Sequence, residues 1–258
     1  MRYIHGLAFF ILVFLNASSA ESIGYSVSPS KIEGSVPAGK QYNNVFTVKN
    51  LSKSPITINV TSFDRTIDPL DKNWFKLEKD QITLPAGKSG EIGYSIAIPE
   101  KAQGEYDARV IFAREPTAKI MGISMRYNFP VYILVSGTEK YGFSIENVTI
   151  TNKQNTKISV DMINTGNVHI RPKGKIKIVS KDSEHPMIFN KRNWAIIPNE
   201  KYQYVNSFTD QSILPDGDYT ARIEISAGSK DKLKTWSNEI NFSIKNSTVS
   251  INPDKTSE

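Results

Sequence analysis

Few residues in this 258-residue chain could carry out acid–base, nucleophilic or metal chemistry. There is no cysteine, and the histidines beyond the first twenty residues, His169 and His185, stand in separate strand or loop contexts. None of the patterns G-x-S-x-G, H-E-x-x-H or a glycine-rich phosphate loop occurs. We therefore predict that the protein is not an enzyme and has no catalytic residues and no cofactor.

One acidic segment is a candidate metal site. Asp64, Asp68 and Asp71 lie close together in sequence, and carboxylate oxygens are ligands that calcium prefers. The segment lacks the regular acidic alternation and the turn glycine of a dedicated calcium loop. We expect a solvated loop there and no bound metal.

The charge pattern argues against nucleic acid as a partner. The chain has 32 basic and 26 acidic residues, and the basic excess is spread along the sequence. Its densest basic run, Lys173, Lys175 and Lys177, alternates as the solvent face of a strand does. Nucleic-acid binding typically needs clustered basic residues interleaved with aromatic ones, so we predict no nucleic-acid partner.

Residues 1–20 have the pattern of a secretory signal peptide. Arg2 precedes the apolar run Leu7–Leu15, and the small residues Ser18 and Ala20 precede an expected cleavage before Glu21. The run is shorter than the roughly 20 residues that a membrane-spanning helix needs. We predict an exported protein with no integral membrane segment after cleavage. Without cysteine, its stability must come from hydrophobic cores.

The elements that must position these residues are short strands. Runs of alternating β-branched and polar residues, bounded by Gly, Pro, Asn and Ser, recur in two series at spacings of roughly 8–12 residues. The pattern predicts an all-β chain of two tandem immunoglobulin-like β-sandwiches. We place the domains at residues 21–137 and 138–246, followed by a polar, frayed tail at 247–258.

An internal repeat supports two domains. The sequence Gly-Glu-Tyr-Asp-Ala-Arg ending at Arg109 matches Gly-Asp-Tyr-Thr-Ala-Arg ending at Arg222. We predict that Tyr106 and Tyr219 in these matches are buried rings whose hydroxyls reach a loop backbone, as in a tyrosine corner. The tryptophans are expected in the cores or in the crease between the domains: Trp74, Trp194 and Trp236.

The chain also contains Asn-x-Ser/Thr sequences, which are glycosylation acceptors in a eukaryotic secretory protein. A chain rich in Asn, Ser and Thr contains such triplets by chance, and we favour that interpretation. Their positions are Asn50, Asn59, Asn147, Asn241 and Asn246.

Several segments resemble a known family. The sequences VSPSKIEGSVPAG, LPAGKSGEI and GEYDARVIFAREP resemble the N-terminal domain of PapD-like periplasmic pilus chaperones. The later INTGNVHIRPKG is similar to related bacterial two-domain immunoglobulin-like surface proteins. The resemblance implies two immunoglobulin-like domains, a periplasmic location and exported protein subunits, of a pilus or of the surface, as partners.

The resemblance also implies binding residues. Lys31 and Arg126 would grip the C-terminal carboxylate of a subunit, although Lys31 replaces the usual arginine and acts as a point charge. One face of the last strand of the first domain would be lent to the subunit by edge-strand addition. The implied donor residues are Ile123, Met125, Tyr127 and Phe129.

Other interpretations of these residues stay open. Alternation is also what any half-buried strand shows, so the segment 123–135 could simply be the last strand of its own domain. Pro130 removes one amide donor from the segment, but proline belongs on edge strands. The alternative function is a non-catalytic structural or adhesive module of the cell surface, in which no strand is shared.

Overall fold

The computed structural model describes residues 24–65, 74–115, 125–181, 183–187, 195–208 and 212–251. The predicted signal peptide at 1–20, together with Asp68, Asp71, Ile123 and Trp194, lies outside these residues. The described residues form seventeen strands and no helix, which confirms the predicted all-β class. None of them forms a helix that could cross a membrane.

The first sandwich consists of two sheets built from nine strands. All neighbouring pairs are antiparallel except β2 with β9, which is parallel. One sheet has the order β1 (Tyr25–Ser28), β3 (Gln41–Asn50), β7 (Ser89–Ala97), β5 (Phe75–Leu77). The other has the order β2 (Ile32–Val36), β9 (Arg126–Val135), β8 (Glu105–Arg114), β4 (Ile56–Asp64), β6 (Gln81–Leu84).

The second sandwich repeats the two-sheet plan with antiparallel pairs throughout. One sheet has the order β10 (Phe143–Asn152), β11 (Thr156–Asn164), β14 (Lys201–Ser207). The other has the order β13 (Glu184–Met187), β12 (Lys173–Val179), β15 (Gly217–Ala227), β16 (Lys234–Lys245), β17 (Thr248–Ile251). The prediction of two immunoglobulin-like sandwiches is thus confirmed.

The strand β17 lies inside the segment that we predict to be a frayed tail. Thr248–Ile251 pair with Phe242–Lys245 of β16. The turn between them has positive φ at both Asn246 and Ser247, which is the backbone that a two-residue hairpin requires. The tail prediction is therefore wrong for these four residues, because a tight hairpin returns the chain to the sheet.

Each sandwich encloses its own core because alternate residues of its strands are apolar and face inward. Phe46 and Phe112 are fully buried in the first core, and Val160 and Met162 in the second. The buried residues form two separate clusters, one ending at Val135 and the other joined by side chains from Tyr141 onward. The predicted boundary at residues 137/138 lies between them.

Buried asparagines fasten loops at the ends of the sandwiches. The Nδ2 of Asn50, which is fully buried, donates to the carbonyls of Ser54, Leu84 and Pro85 at 2.8, 3.1 and 3.0 Å. Asn164 does the same in the second sandwich, donating to the carbonyls of Val168 and Ile196 at 2.8 Å each. These amides add side-chain hydrogen bonds to carbonyls at strand ends and in the adjoining loops.

The two repeated tyrosines are buried in both sandwiches, as the repeat predicts. The Tyr219 hydroxyl donates to the carbonyl of Pro215 at 2.9 Å, which is the expected tyrosine-corner contact. The Tyr106 ring packs edge-on against Trp74, with centroids 5.3 Å apart. Trp74 itself is a core residue whose Nε1 donates to Asp64 Oδ2 at 3.0 Å.

Candidate functional site

The strand β9 is covered on both sides along only part of its length. Its residues Arg126–Leu134 pair with β8, whereas β2 covers only Val131–Val135. Within the residues that the structure describes, Arg126–Pro130 therefore has a neighbouring strand on one side alone. We call Arg126–Pro130 the open segment.

Backbone hydrogen bonds fix which groups of the open segment face outward. Arg114 N–H donates to the carbonyl of Met125 at 3.0 Å, and Ser136 N–H donates to that of Val36 on β2 at 3.0 Å. Because backbone groups alternate along an antiparallel strand, odd-numbered residues of β9 bond to β8 and even-numbered residues face away. The N–H and C=O groups of Arg126 and Asn128 therefore point to the open side.

Pro130 does not interrupt the pairing of β9 with β8. Pro130 is even-numbered, so the N–H that it lacks would have pointed to the open side. The ladder between β9 and β8 therefore loses no hydrogen bond at this residue. Pro130 still offers its carbonyl to the open side, at the point where β2 begins to cover the strand.

Three of the predicted donor residues form a half-buried row over the first core. Met125, Tyr127 and Phe129 are partly exposed and pack against that core. The rings of Tyr127 and Phe129 stack with centroids 5.7 Å apart and planes at 10°. Phe129 lies 5.7 Å from Phe112, and Tyr127 meets Tyr25 edge-on at 4.9 Å. We call Met125, Tyr127 and Phe129 the apolar row.

Hydrogen bonds hold the apolar row in place. The Tyr127 hydroxyl donates to the carbonyl of Tyr25 at 3.2 Å, and the Tyr25 hydroxyl donates to that of Phe112 at 2.8 Å. Burial raises the pKa of the Tyr25 hydroxyl, so it remains a neutral donor. The row is thus a fixed apolar surface, part of which is accessible at the edge of the sandwich.

Lys31 and Arg126 lie at opposite ends of the open segment. The register of Ile32 with Val131 places Lys31 beside Pro130. Arg126 is four residues before Pro130, about 13 Å along a strand. Both side chains are exposed and extend away from the backbone. The Lys31 Nζ lies 2.6 Å from Oε2 of Glu33.

Glu33 links Lys31, which lies beside the open segment, to the second sandwich. Arg171 donates to both of its carboxylate oxygens, at 2.8 and 3.0 Å, and His169 Nε2 lies 3.6 Å away. Burial alone would raise the pKa of Glu33, but hydrogen bonds from Arg171 and Lys31 outweigh it and lower the pKa to about 2. Glu33 is therefore ionised and shared between Lys31 and the second sandwich.

The rest of the domain junction is built around His169. Its Nδ1 lies 2.7 Å from Glu105 Oε2, and its backbone N–H donates to Glu105 Oε1 at 3.1 Å. Its ring packs on Tyr132 with centroids 4.3 Å apart, and Arg171 contacts its Nε2. A cavity of about 590 Å³ beside this cluster is lined by Glu33, Arg171 and Lys173, among others. These contacts fix one sandwich against the other.

Asp107 is a buried carboxyl next to this junction, on the outer face of β8. Burial raises its pKa to about 6, although Arg109 and Arg65 lie 3.7 and 3.8 Å away and lower it in part.

Among the described residues there is no group of three or more His, Cys, Asp or Glu that could hold a metal ion. Of the three predicted loop aspartates only Asp64 is described, and it accepts the Trp74 hydrogen bond.

The sequence-based site omits the junction residues Glu33, Glu105, His169 and Arg171. Glu33 and Glu105 were hidden because each belongs to an ordinary alternating strand. A usable signal exists in the short sequence Val168 to Arg171, where His169 and Arg171 alternate with the buried Val168 and Ile170. Two basic side chains on one face of a segment outside the regular strands indicate an acidic partner, but not which one.

Comparison with solved structures finds alignments with pilus and fimbrial chaperones. The CsuC–CsuE chaperone–tip adhesion subunit complex, from the archaic chaperone-usher Csu pili of Acinetobacter baumannii, aligns at 13% identity and TM-score 0.47, over 83% of this chain and 97% of that one. The Pseudomonas aeruginosa chaperone CupB2 aligns at 10% identity and TM-score 0.45, over 82% and 98%. The class 5 fimbriae chaperone CfaA aligns at 14% identity and TM-score 0.45, over 83% and 98%. No protein-family model and no curated protein matches the chain.

Proposed function

We propose that this protein is a periplasmic, chaperone-like binder that holds exported protein subunits, of a pilus or of the surface, by edge-strand addition at the open segment. One observation carries the proposal: Arg126–Pro130 has one neighbouring strand among the described residues and lies beside a half-exposed apolar row. An extended segment of a partner could add to this edge through main-chain hydrogen bonds, with its apolar side chains against the row.

The open segment also favours one direction for the added strand. A strand parallel to β9 would continue the line of β2, which is itself parallel to β9. Its C-terminal end would then lie beside Lys31, and a terminal carboxylate could pair with the ammonium group. Arg126, at the other end of the open segment, is the second basic residue that we propose for this carboxylate.

The proposal can be tested through the amides of the open segment. In the full chain, the amide hydrogens of Arg126 and Asn128 should exchange quickly with solvent, whereas those of Tyr127 and Phe129 are bonded to β8 and should be protected. A short synthetic peptide that alternates valine and threonine should slow exchange at Arg126 and Asn128. Exchange at Tyr127 and Phe129 should not change.

A pair of variants at one residue separates the backbone from the side chain. Asn128→Pro removes the outward N–H without touching the β8 ladder, and we expect about tenfold weaker peptide binding, as for a lost hydrogen bond plus crowding. Asn128→Ala keeps the N–H and should bind like the unaltered protein. Equal affinities for the two variants would exclude strand addition and leave the structural or adhesive surface module as the better explanation.

A further inference from the structure

One carboxylate of this protein already occupies the position that the proposed function gives to the carboxylate of a partner. The Glu33 carboxylate lies 2.6 Å from Lys31 Nζ and is bound at 2.8 and 3.0 Å by Arg171 of the second sandwich. His169 Nε2 lies 3.6 Å from the same carboxylate. Lys31 is therefore paired before any partner arrives.

The environment of this carboxylate makes its displacement from Lys31 feasible. The Lys31 side chain is 51% exposed and that of Glu33 is 33% exposed, so solvent and a partner can reach the contact between them. Arg171 and His169 are more buried, at 25% and 9%. A partner that takes Lys31 would leave Glu33 with its second-sandwich partners, and no unpaired buried charge would result.

We propose that Glu33 is a specificity-determining residue that competes with the carboxylate of a partner for Lys31. This inference rests on the proposed function, because it needs a strand with a terminal carboxylate beside Lys31. Arg171 sets the strength of the competition by holding Glu33 toward the second sandwich. A partner must therefore add backbone and apolar contacts along the open segment to displace Glu33, and an isolated carboxylate gains little.

A purely structural role for Glu33 makes a different prediction. If the pair of Glu33 with Arg171 only pins the two sandwiches together, removing either residue breaks the same contact and should change binding in the same direction. If Glu33 competes for Lys31, the two removals act in opposite directions. Without Glu33, Lys31 is free for the partner, whereas without Arg171, Glu33 pairs with Lys31 alone.

The experiment measures affinity of the full chain for the valine–threonine peptide in two forms, with a free C-terminal carboxylate and with a C-terminal amide. We expect Glu33→Gln to bind the carboxylate form about twofold to fivefold more tightly, as for release of a partly exposed ion pair. Arg171→Gln should bind that form more weakly. Neither substitution should change the affinity for the amide form, and Lys31→Gln should abolish the gain from Glu33→Gln.

The control is Glu184→Gln, which breaks the exposed pair of Glu184 with Lys177 in the second sandwich at 3.1 Å and should leave both affinities unchanged. Shifts in the same direction for Glu33→Gln and Arg171→Gln would overturn the competition while strand addition stands. Equal affinities of the unaltered protein for the carboxylate and amide forms of the peptide would also overturn the competition. Absence of binding in either form, with no protection of Arg126 and Asn128, would overturn the proposed function and this inference together.

Discussion

The last long strands of the two sandwiches share a plan and differ in one row of side chains. Both β9 and β16 pair with the preceding strand along nearly their whole length. In both, the second neighbour covers only the C-terminal part, which in β16 is Phe242–Lys245. The inward row beside the uncovered part of β9 is the apolar row. In β16 the equivalent row is Trp236, Asn238 and Ile240, with a polar residue at its centre.

This difference shows how one sheet edge can remain able to bind a further strand while another edge disfavours it. A polar side chain that points inward at an edge discourages the addition of another strand, because an added strand would bury the amide. Asn238 has such an inward position in the second sandwich, whereas the apolar row of β9 contains no polar residue. The sandwich with the proposed binding function is thus the one with the unprotected edge.

The two sandwiches also differ in the charge of their buried polar residues. The first sandwich buries two charged side chains, Asp107 and Arg114. In the second, the buried polar residues are uncharged within the described part of the chain: Asn152, Thr156, Asn164 and Asn206. Burial of a carboxylate costs stability, so the first sandwich should respond to pH in a way that the second does not.

The largest expected effect is this difference in pH response. Burial raises the pKa of Asp107 from its ordinary value of 3.8 to about 6, so folding favours its protonated form. Asp107 should therefore contribute about 2 to 3 kcal/mol of added stability to the first sandwich as the pH falls from 7 to 4. Glu33, with its pKa lowered from 4.5 to about 2, loses its stabilising contribution as the pH falls from about 5 towards 2, which offsets part of the Asp107 gain near pH 4. Urea unfolding followed by the amide signals of Tyr106 and Tyr219 gives the two stabilities separately.

Two variants check the assignment of this effect. Asp107→Asn should flatten the pH response of the first sandwich between pH 7 and 4. Asp161→Asn, at a partly exposed position of β11, should leave it unchanged. Equal pH slopes for the two sandwiches in the unaltered protein would contradict the contrast in buried charge.

The second largest effect should come from placing a polar residue in the apolar row of β9, as Asn238 is placed in the inward row of β16. Phe129→Asn puts an amide into the apolar row and should weaken binding of the valine–threonine peptide by about tenfold, because an apolar contact is lost and an amide is desolvated. Asn128→Ser changes the opposite face of the same strand and should not alter affinity. Fluorescence anisotropy with a labelled peptide measures both. An unchanged affinity for Phe129→Asn would mean that the row is only core.

The smallest expected effect is the reverse change in the second sandwich. Asn238→Val makes the inward row of β16 continuously apolar and should raise self-association a few-fold, about 1 kcal/mol, through edge-to-edge pairing. Ser237→Val adds the same side chain on the opposite face and is the matched control. Sedimentation velocity measures the self-association of both variants and of the unaltered protein. Equal self-association of all three would show that Asn238 does not prevent edge-to-edge pairing.

Much of the fold could be predicted because alternation in a strand is a local property. Each core row, such as that of β11 from Thr156 to Asn164, is legible in sequence as every second residue. The hairpin to β17 was missed because Asn246 and Ser247 form a turn that polar composition also allows in a loose tail. The alternation around Tyr127 and Phe129 could also be recognised in the sequence, but the sequence did not show that these residues lie beside an uncovered strand edge.

The placement of charges could not be predicted, since it depends on contacts between distant residues. Lys31 and Arg126 could be singled out by resemblance, but their separation follows from the parallel register of β2 with β9. The contact of Glu33 with Arg171 joins residues 138 positions apart in different sandwiches. No local pattern carries that information, because it depends on how the two sandwiches meet.

The buried amide of Asn50 bears on the choice of a host for producing this protein. Asn50 begins the acceptor triplet Asn-Leu-Ser, yet its Nδ2 is fully enclosed and donates to three carbonyls. A sugar chain attached there during translocation would occupy that nitrogen and keep the first sandwich from closing. Expression in a yeast or mammalian secretory pathway would therefore yield misfolded material at this site, whereas a glycan on the exposed Asn147 would be tolerated.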